Sequence, residues 1–71
     1  MILLHIESLP RQVTKSDLLN FLSLVSGMER SRVGRIDLRA GQAVIEIPEG
    51  WEVRLVKALD GQAFGDRRVR V

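Results

Sequence analysis

Residues 33–71 read VGRIDLRAGQAVIEIPEGWEVRLVKALDGQAFGDRRVRV. Apolar and polar residues alternate on both sides of Ala40-Gly41, which is the pattern of two strands joined by a tight turn. An amphipathic helix ending at Gly61 follows, and arginine then alternates with valine in a last strand. With an earlier strand and helix, the element order is βαββαβ. This order predicts an α+β fold in which a four-stranded antiparallel sheet carries both helices on one face.

The first strand and the first helix are predicted within residues 2–27. Alternation over residues 2–7 indicates a strand. The helix begins at Thr14, and Asp17 completes a short capping box with it. Pro48 and Glu49 open the second helix. The predicted buried positions are Leu18, Phe21, Leu22 and Val25 in the first helix and Trp51, Leu55, Ala58 and Leu59 in the second.

The sheet face that points away from the helices is predicted to carry arginine. A two-residue turn sets Arg39 opposite Gln42 and Arg35 opposite Glu46. Arg35 is expected to pair with Glu46, and His5 lies near the centre of this open face. Its least compensated cations are Arg39, Arg68 and Arg70. Protection of strand edges against aggregation is the alternative role for these charges.

The composition excludes several classes of protein. The chain has 71 residues, so residues 1–71 are expected to form a single domain. It contains no cysteine, which excludes disulfides and thiolate zinc sites and favours a reducing, cytoplasmic setting. No stretch approaches the ~20 apolar residues of a membrane span. No phosphate-binding loop, metal-ligand cluster or nucleophile–base pair occurs, so we expect neither catalysis nor a cofactor.

The second half of the chain resembles a known family. Its matching positions are Gly34 to Asp37, Ile45 to Glu49, Ala58, Leu59 and Gly61, and Arg67 to Val71. They resemble the DbpA-type RNA-binding domain, an RNA recognition motif of ferredoxin-like βαββαβ fold that ends a subset of bacterial DEAD-box RNA helicases. The family commonly has an aromatic residue where Val44 stands. Its loop after the first strand is longer and more basic than the one here.

The resemblance implies an RNA-binding module that docks on structured ribosomal RNA through the open sheet face. Its partners are then RNA and a helicase core in the same polypeptide, which would hold the ATPase activity. The RNA recognition motif stacks bases on aromatic residues of its central strands, but here those positions hold His5, Gln42 and Val44. Recognition is therefore expected to rest mainly on arginine. The candidate RNA-binding residues are Arg39, Arg68, Arg70, Arg35, His5 and Gln42.

Two other functions remain open from the sequence. One is a protein-interaction or dimerisation domain of the same fold that has lost RNA binding, which the missing aromatic residues favour and the arginine pattern opposes. The other is a small-molecule regulatory domain, which no specific residue supports. The chain is either freestanding or excised from a longer helicase.

Overall fold

The computed structural model describes residues 1–71, and its elements follow the predicted order. They are β1 (Ile2–Glu7), α1 (Lys15–Ser26), a 3-10 turn (Arg30–Arg32), β2 (Ile36–Arg39), β3 (Gln42–Ile47), α2 (Glu52–Leu59), β4 (Ala63–Phe64) and β5 (Arg67–Arg68). The chain therefore has the α+β composition, two helices with antiparallel strands, that its sequence predicts.

The two helices begin in different ways. The capping box of α1 is confirmed, because the Thr14 hydroxyl accepts from the Asp17 backbone N–H and the Asp17 carboxylate accepts from the Thr14 N–H, both at 3.1 Å. The predicted start of α2 at Pro48 is wrong. Residues 48–50 form a turn, in which Gly50 takes a φ of 92°, and the helix begins only at Glu52. Glycine adopts this left-handed backbone conformation readily, and a right-handed helix cannot contain it.

The sheet is smaller than the sequence predicts. β1, β3 and β2 form a three-stranded antiparallel sheet in that order. The hairpin register is confirmed, since Arg39 lies opposite Gln42. The predicted fourth strand does not form a continuous ladder, because β4 and β5 pair with each other in a separate hairpin. Only an isolated antiparallel bridge, between Glu7 and Arg70, joins the end of the chain to β1.

The backbone at the end of β1 explains this difference. Ser8 has a φ of 62°, and the N–H of Leu9 then donates to the carbonyl of Gly41 at 3.0 Å. The chain has thus turned towards the β2–β3 hairpin before it reaches the position opposite Arg68. On its other side, Val69 donates to the Gln62 carbonyl at 2.9 Å. The last residues therefore extend one strand of the β4–β5 hairpin and pair with the sheet edge at a single position.

One core joins the sheet to both helices. Its fully or nearly buried members are Leu4, Ile6, Leu9, Leu18, Phe21, Leu22, Met28, Ala43, Ile45, Ile47, Leu55, Leu59 and Val69. The ring of Phe64 in β4 stacks on Phe21 of α1 with 4.2 Å between centroids, which ties the small hairpin to the same core. Both helices therefore cover one face of the sheet and leave the other open. Neither helix has the length and apolar character needed to cross a bilayer.

Candidate nucleic-acid interface

Three rows of directly paired residues cross the open face of the sheet. From the edge at the end of the chain they read Arg70–Glu7–Gln42–Arg39, then His5–Val44–Asp37, then Leu3–Glu46. Directly opposed residues of neighbouring strands point to the same side of a sheet. Arg39 and Arg70 therefore share the open face, as predicted, and stand at the two ends of one row.

The charge of Arg39 is compensated more than the sequence indicated. Its guanidinium lies 3.7 Å from the carboxylate of Asp37, and this pair is the only salt bridge in the chain. Asp37 and Arg39 are two residues apart on one strand, so their side chains lie on the same face. The alternation of the sequence was therefore enough to predict this ion pair. The pair is open to solvent, with the Arg39 side chain 79% exposed. Such pairs contribute little to stability, and the guanidinium is free to exchange Asp37 for a phosphate.

The predicted ion pair between Arg35 and Glu46 is absent. The Glu46 carboxylate instead accepts from the backbone N–H of Arg35 at 2.8 Å. The Glu46 carbonyl accepts from Gly34 at 2.8 Å, and the Glu46 N–H donates to the Arg35 carbonyl at 2.9 Å. Two residues of one strand thus face one residue of the next, which is the arrangement of a β-bulge. The guanidinium of Arg35 is left without a carboxylate partner.

Arg68 and Arg70 flank the buried Val69 and are both exposed. The guanidinium of Arg68 donates to the carbonyl of Gly61 at 3.1 Å, just after α2. Arg70 makes no such contact, and its backbone N–H and carbonyl are the groups that pair with Glu7. Arg70 is therefore an uncommitted cation on the open face, whereas Arg68 also fastens the chain end to α2.

The open face carries no phenylalanine, tyrosine or tryptophan side chain. Phe21 and Phe64 stack on each other in the core, and the Trp51 ring lies under the guanidinium of Arg54, 4.8 Å from its carbon, at the start of α2. The centre of the face is formed by the exposed His5 and the half-buried Val44, with Leu3 59% exposed beside them. Leu3 and Val44 offer apolar contact to a base or a ribose, and the imidazole of His5 is the one ring on this face that can stack on a base.

A polar pocket that the sequence did not predict lies at one end of the sheet. It measures about 320 Å³ and is lined by Glu7, Ser8, Leu9, Arg11, Ala40, Gly41, Gln42 and Arg67. Glu7 and Gln42 belong to the first row of the open face, so the pocket continues that row. Arg11 and Arg67 are far apart in sequence, and only the turn at Ser8 and the β4–β5 hairpin bring them together. No sequence pattern signals this pocket.

The three acids of the rows balance the three arginines of the open face. Arg35, Arg39 and Arg70 face Glu7, Asp37 and Glu46, so these six residues carry no net charge. Arg11 and Arg67 add two positive charges at the sheet end, and Asp66 beside them offsets one. The sheet end therefore adds net positive charge next to a face that is otherwise balanced.

Comparison with known proteins supports the family resemblance that the sequence indicates. The family model described as DbpA RNA binding domain matches residues 11–71, which include every element from α1 onwards. Of the residues in the first row, Glu7 lies outside the matched range. No curated protein matches the sequence.

Proposed function

Because the chain belongs to the DbpA RNA-binding domain family, which makes it a non-catalytic RNA-binding module, we propose that it binds structured ribosomal RNA on behalf of a DEAD-box helicase core. The binding surface is the open sheet face, entered from the first row. The observation that carries this proposal is the shared face of Arg39 and Arg70, opposite the helices and free of core contacts.

Arginine suits this task because its planar guanidinium makes two parallel hydrogen bonds to a phosphate or to a base edge. The distance across the first row, from one strand edge to the other, lets two guanidiniums contact phosphates that are not adjacent. Shape recognition of structured RNA works in this way, through backbone contacts and a few base edges. Leu3 and Val44 add apolar contact at the centre of the face.

The module supplies targeting and the parent polypeptide supplies chemistry. In this proposal the ATP-dependent core lies in the same polypeptide, and the module brings it to large-subunit ribosomal RNA in the cytoplasm during ribosome assembly. The arginine row then determines where the helicase acts, without contributing to ATP hydrolysis.

The first test measures binding of the 71-residue chain to labelled hairpins of large-subunit ribosomal RNA by fluorescence anisotropy. The Arg39→Ala, Arg70→Ala double variant is expected to lose about tenfold or more in affinity, because each arginine makes charge-assisted hydrogen bonds to RNA. Its fold should be unchanged, since both side chains are exposed.

The matched control is the Lys15→Ala, Lys57→Ala double variant, which removes the same charge from the two helices. It should change affinity by no more than about threefold, since it acts only through the long-range field. Equal losses of affinity in the two double variants would show that binding depends on the overall charge of the chain and not on the sheet face. If the chain binds none of the ribosomal hairpins, ribosomal targeting is refuted and the protein-interaction function is favoured.

A further inference from the structure

The sheet-end pocket has the composition of a site for an anionic, hydrogen-bonding ligand. Arg11 and Arg67 both line it, and neither guanidinium has a carboxylate within salt-bridge distance. A second recess adjoins it and is lined by the same two arginines with Pro10, Gln12 and Asp66. The two arginines therefore stand between two open polar spaces. A phosphate, whose tetrahedrally arranged oxygens accept hydrogen bonds on more than one side, fits between two guanidinium groups.

The remaining wall offers both donors and acceptors. The Glu7 carboxylate only accepts, the Ser8 hydroxyl does both, and the Gln42 side-chain amide does both. A ligand that complements them carries hydroxyls or amino groups next to its phosphate. The volume of about 320 Å³ is at the small end of the range for small-molecule sites, and one nucleotide is the unit of RNA with this size and chemistry.

The backbone at the pocket is held in an unusual conformation. Ser8 is the only non-glycine residue with a positive φ, at 62°. For a residue with a side chain this conformation is costly and persists where the surrounding contacts require it, often at binding sites. Here the turn at Ser8 sends Leu9 into the core, where it is 1% exposed. Ser8 and Leu9 of this turn both line the pocket.

The pocket opens onto the first row of the sheet face through Glu7 and Gln42. An RNA strand that crosses from Arg39 towards Arg70 passes its mouth. A nucleotide held within a duplex cannot enter, because its base is paired and stacked, whereas an unpaired nucleotide can turn away from its neighbours. The position of the pocket beside the row thus selects for unpaired RNA.

We propose that the sheet-end pocket holds one unpaired nucleotide of the bound RNA, with its phosphate between Arg11 and Arg67 and its ribose or base against Glu7, Ser8 and Gln42. This inference rests on the proposed RNA-binding function and adds to it a second subsite, which discriminates unpaired from paired RNA.

The test compares two RNA probes with the whole chain by fluorescence anisotropy. One is a blunt duplex, and the other is the same duplex with a five-nucleotide single-stranded tail. The Arg11→Ala, Arg67→Ala double variant is expected to lose about tenfold or more in affinity for the tailed probe. Its affinity for the blunt duplex should stay within about threefold of the parent, since only the long-range field changes there. Circular dichroism checks that the variant is folded.

Two further variants separate the subsite from the sheet face. The Arg39→Ala, Arg70→Ala variant should weaken binding of both probes. Ser8→Gly keeps the backbone at positive φ accessible and removes the CH2OH side chain with its hydroxyl, so it should reduce affinity for the tailed probe by a few fold, as expected for one neutral hydrogen bond.

Each remaining outcome has a distinct meaning. If the Arg11, Arg67 variant binds both probes as the parent does, the pocket is not a subsite and the proposed function stands. If it loses equally on both probes, the two arginines act only through the overall field and the nucleotide pocket is refuted. If the parent chain binds neither probe nor the ribosomal hairpins, RNA binding itself fails and the subsite with it.

Discussion

At the scale of single residues, the distribution of partners differs from what residue type alone indicates. Asp37 neutralises Arg39, whereas the Glu46 carboxylate is occupied by the backbone of Arg35. The cause is Gly34, whose N–H reaches the Glu46 carbonyl and adds an extra residue to the strand. A bulge changes which groups of a strand are left for side-chain pairing, and it leaves Arg35 available to RNA.

Gly34 is required by space as well as by hydrogen bonding. A Cβ at this position would lie 3.0 Å from the Cβ of Glu46 and 3.0 Å from the sulfur of Met1. Met1 is flexible and moves aside, but the Glu46 Cβ belongs to β3 and does not. We expect Gly34→Ala to lower the free energy of unfolding by ~1–3 kcal/mol through overpacking. Urea denaturation measures this, and an unchanged midpoint would show that β2 and β3 separate here at little cost.

At the scale of elements, α1 depends on a single buried stripe. Leu18 and Leu22 are at most 1% exposed, while Leu24, on the same helix, is 87% exposed. Packing of an amphipathic face supplies most of the stability of a helix in a protein. The capping box at Thr14 fixes where α1 starts, and the stripe fixes which side faces the sheet.

The pair Leu22 and Leu24 provides a matched experiment on this helix. Leu22→Ala should lower the free energy of unfolding by ~2–5 kcal/mol, because it leaves a cavity in the core. Leu24→Ala, the same chemical change two residues away, should stay within about 0.5 kcal/mol of the parent. Equal effects in chemical denaturation would mean that the stripe of α1 is misassigned.

At the scale of the whole molecule, the small net charge of +2 is unevenly distributed. The three acids of the rows balance Arg35, Arg39 and Arg70, and Arg11 and Arg67 add positive charge at the sheet end. An RNA-binding protein releases counterions in proportion to the phosphates it neutralises. The salt dependence of binding therefore reports how many arginines contact phosphate.

We expect a slope of log K against log salt of roughly −2 to −3 for single-stranded RNA, which corresponds to three or four neutralised phosphates. The Arg11→Ala, Arg67→Ala variant should reduce the magnitude of this slope by about 0.7, because it removes the one phosphate held between these two arginines. Titration at several salt concentrations gives both values. A slope near zero in the parent would show that phosphate contacts do not drive binding.

The sequence by itself determined the element order, the capping box at Thr14, the register of the β2–β3 hairpin and the family, because each depends on local spacing or on a contiguous motif. Period-two alternation fixes which residues share a face, so Arg39 and Arg70 were placed together correctly. The RNA-contact roles of Arg39, Arg68, Arg70, Arg35, His5 and Gln42 remain predictions.

Only the tertiary structure decided the features that combine distant segments. The turn at Ser8 and the β4–β5 hairpin reduce the fourth strand to one bridge, because the backbone groups of the last residues pair within the hairpin. The bulge at Gly34 commits the Glu46 carboxylate to the backbone N–H of Arg35 and leaves the Arg35 guanidinium without a carboxylate partner. Arg11 and Arg67 meet across the sheet-end pocket although 55 positions separate them in the chain. Such contacts depend on how loops close in three dimensions, and local spacing carries no information about that closure.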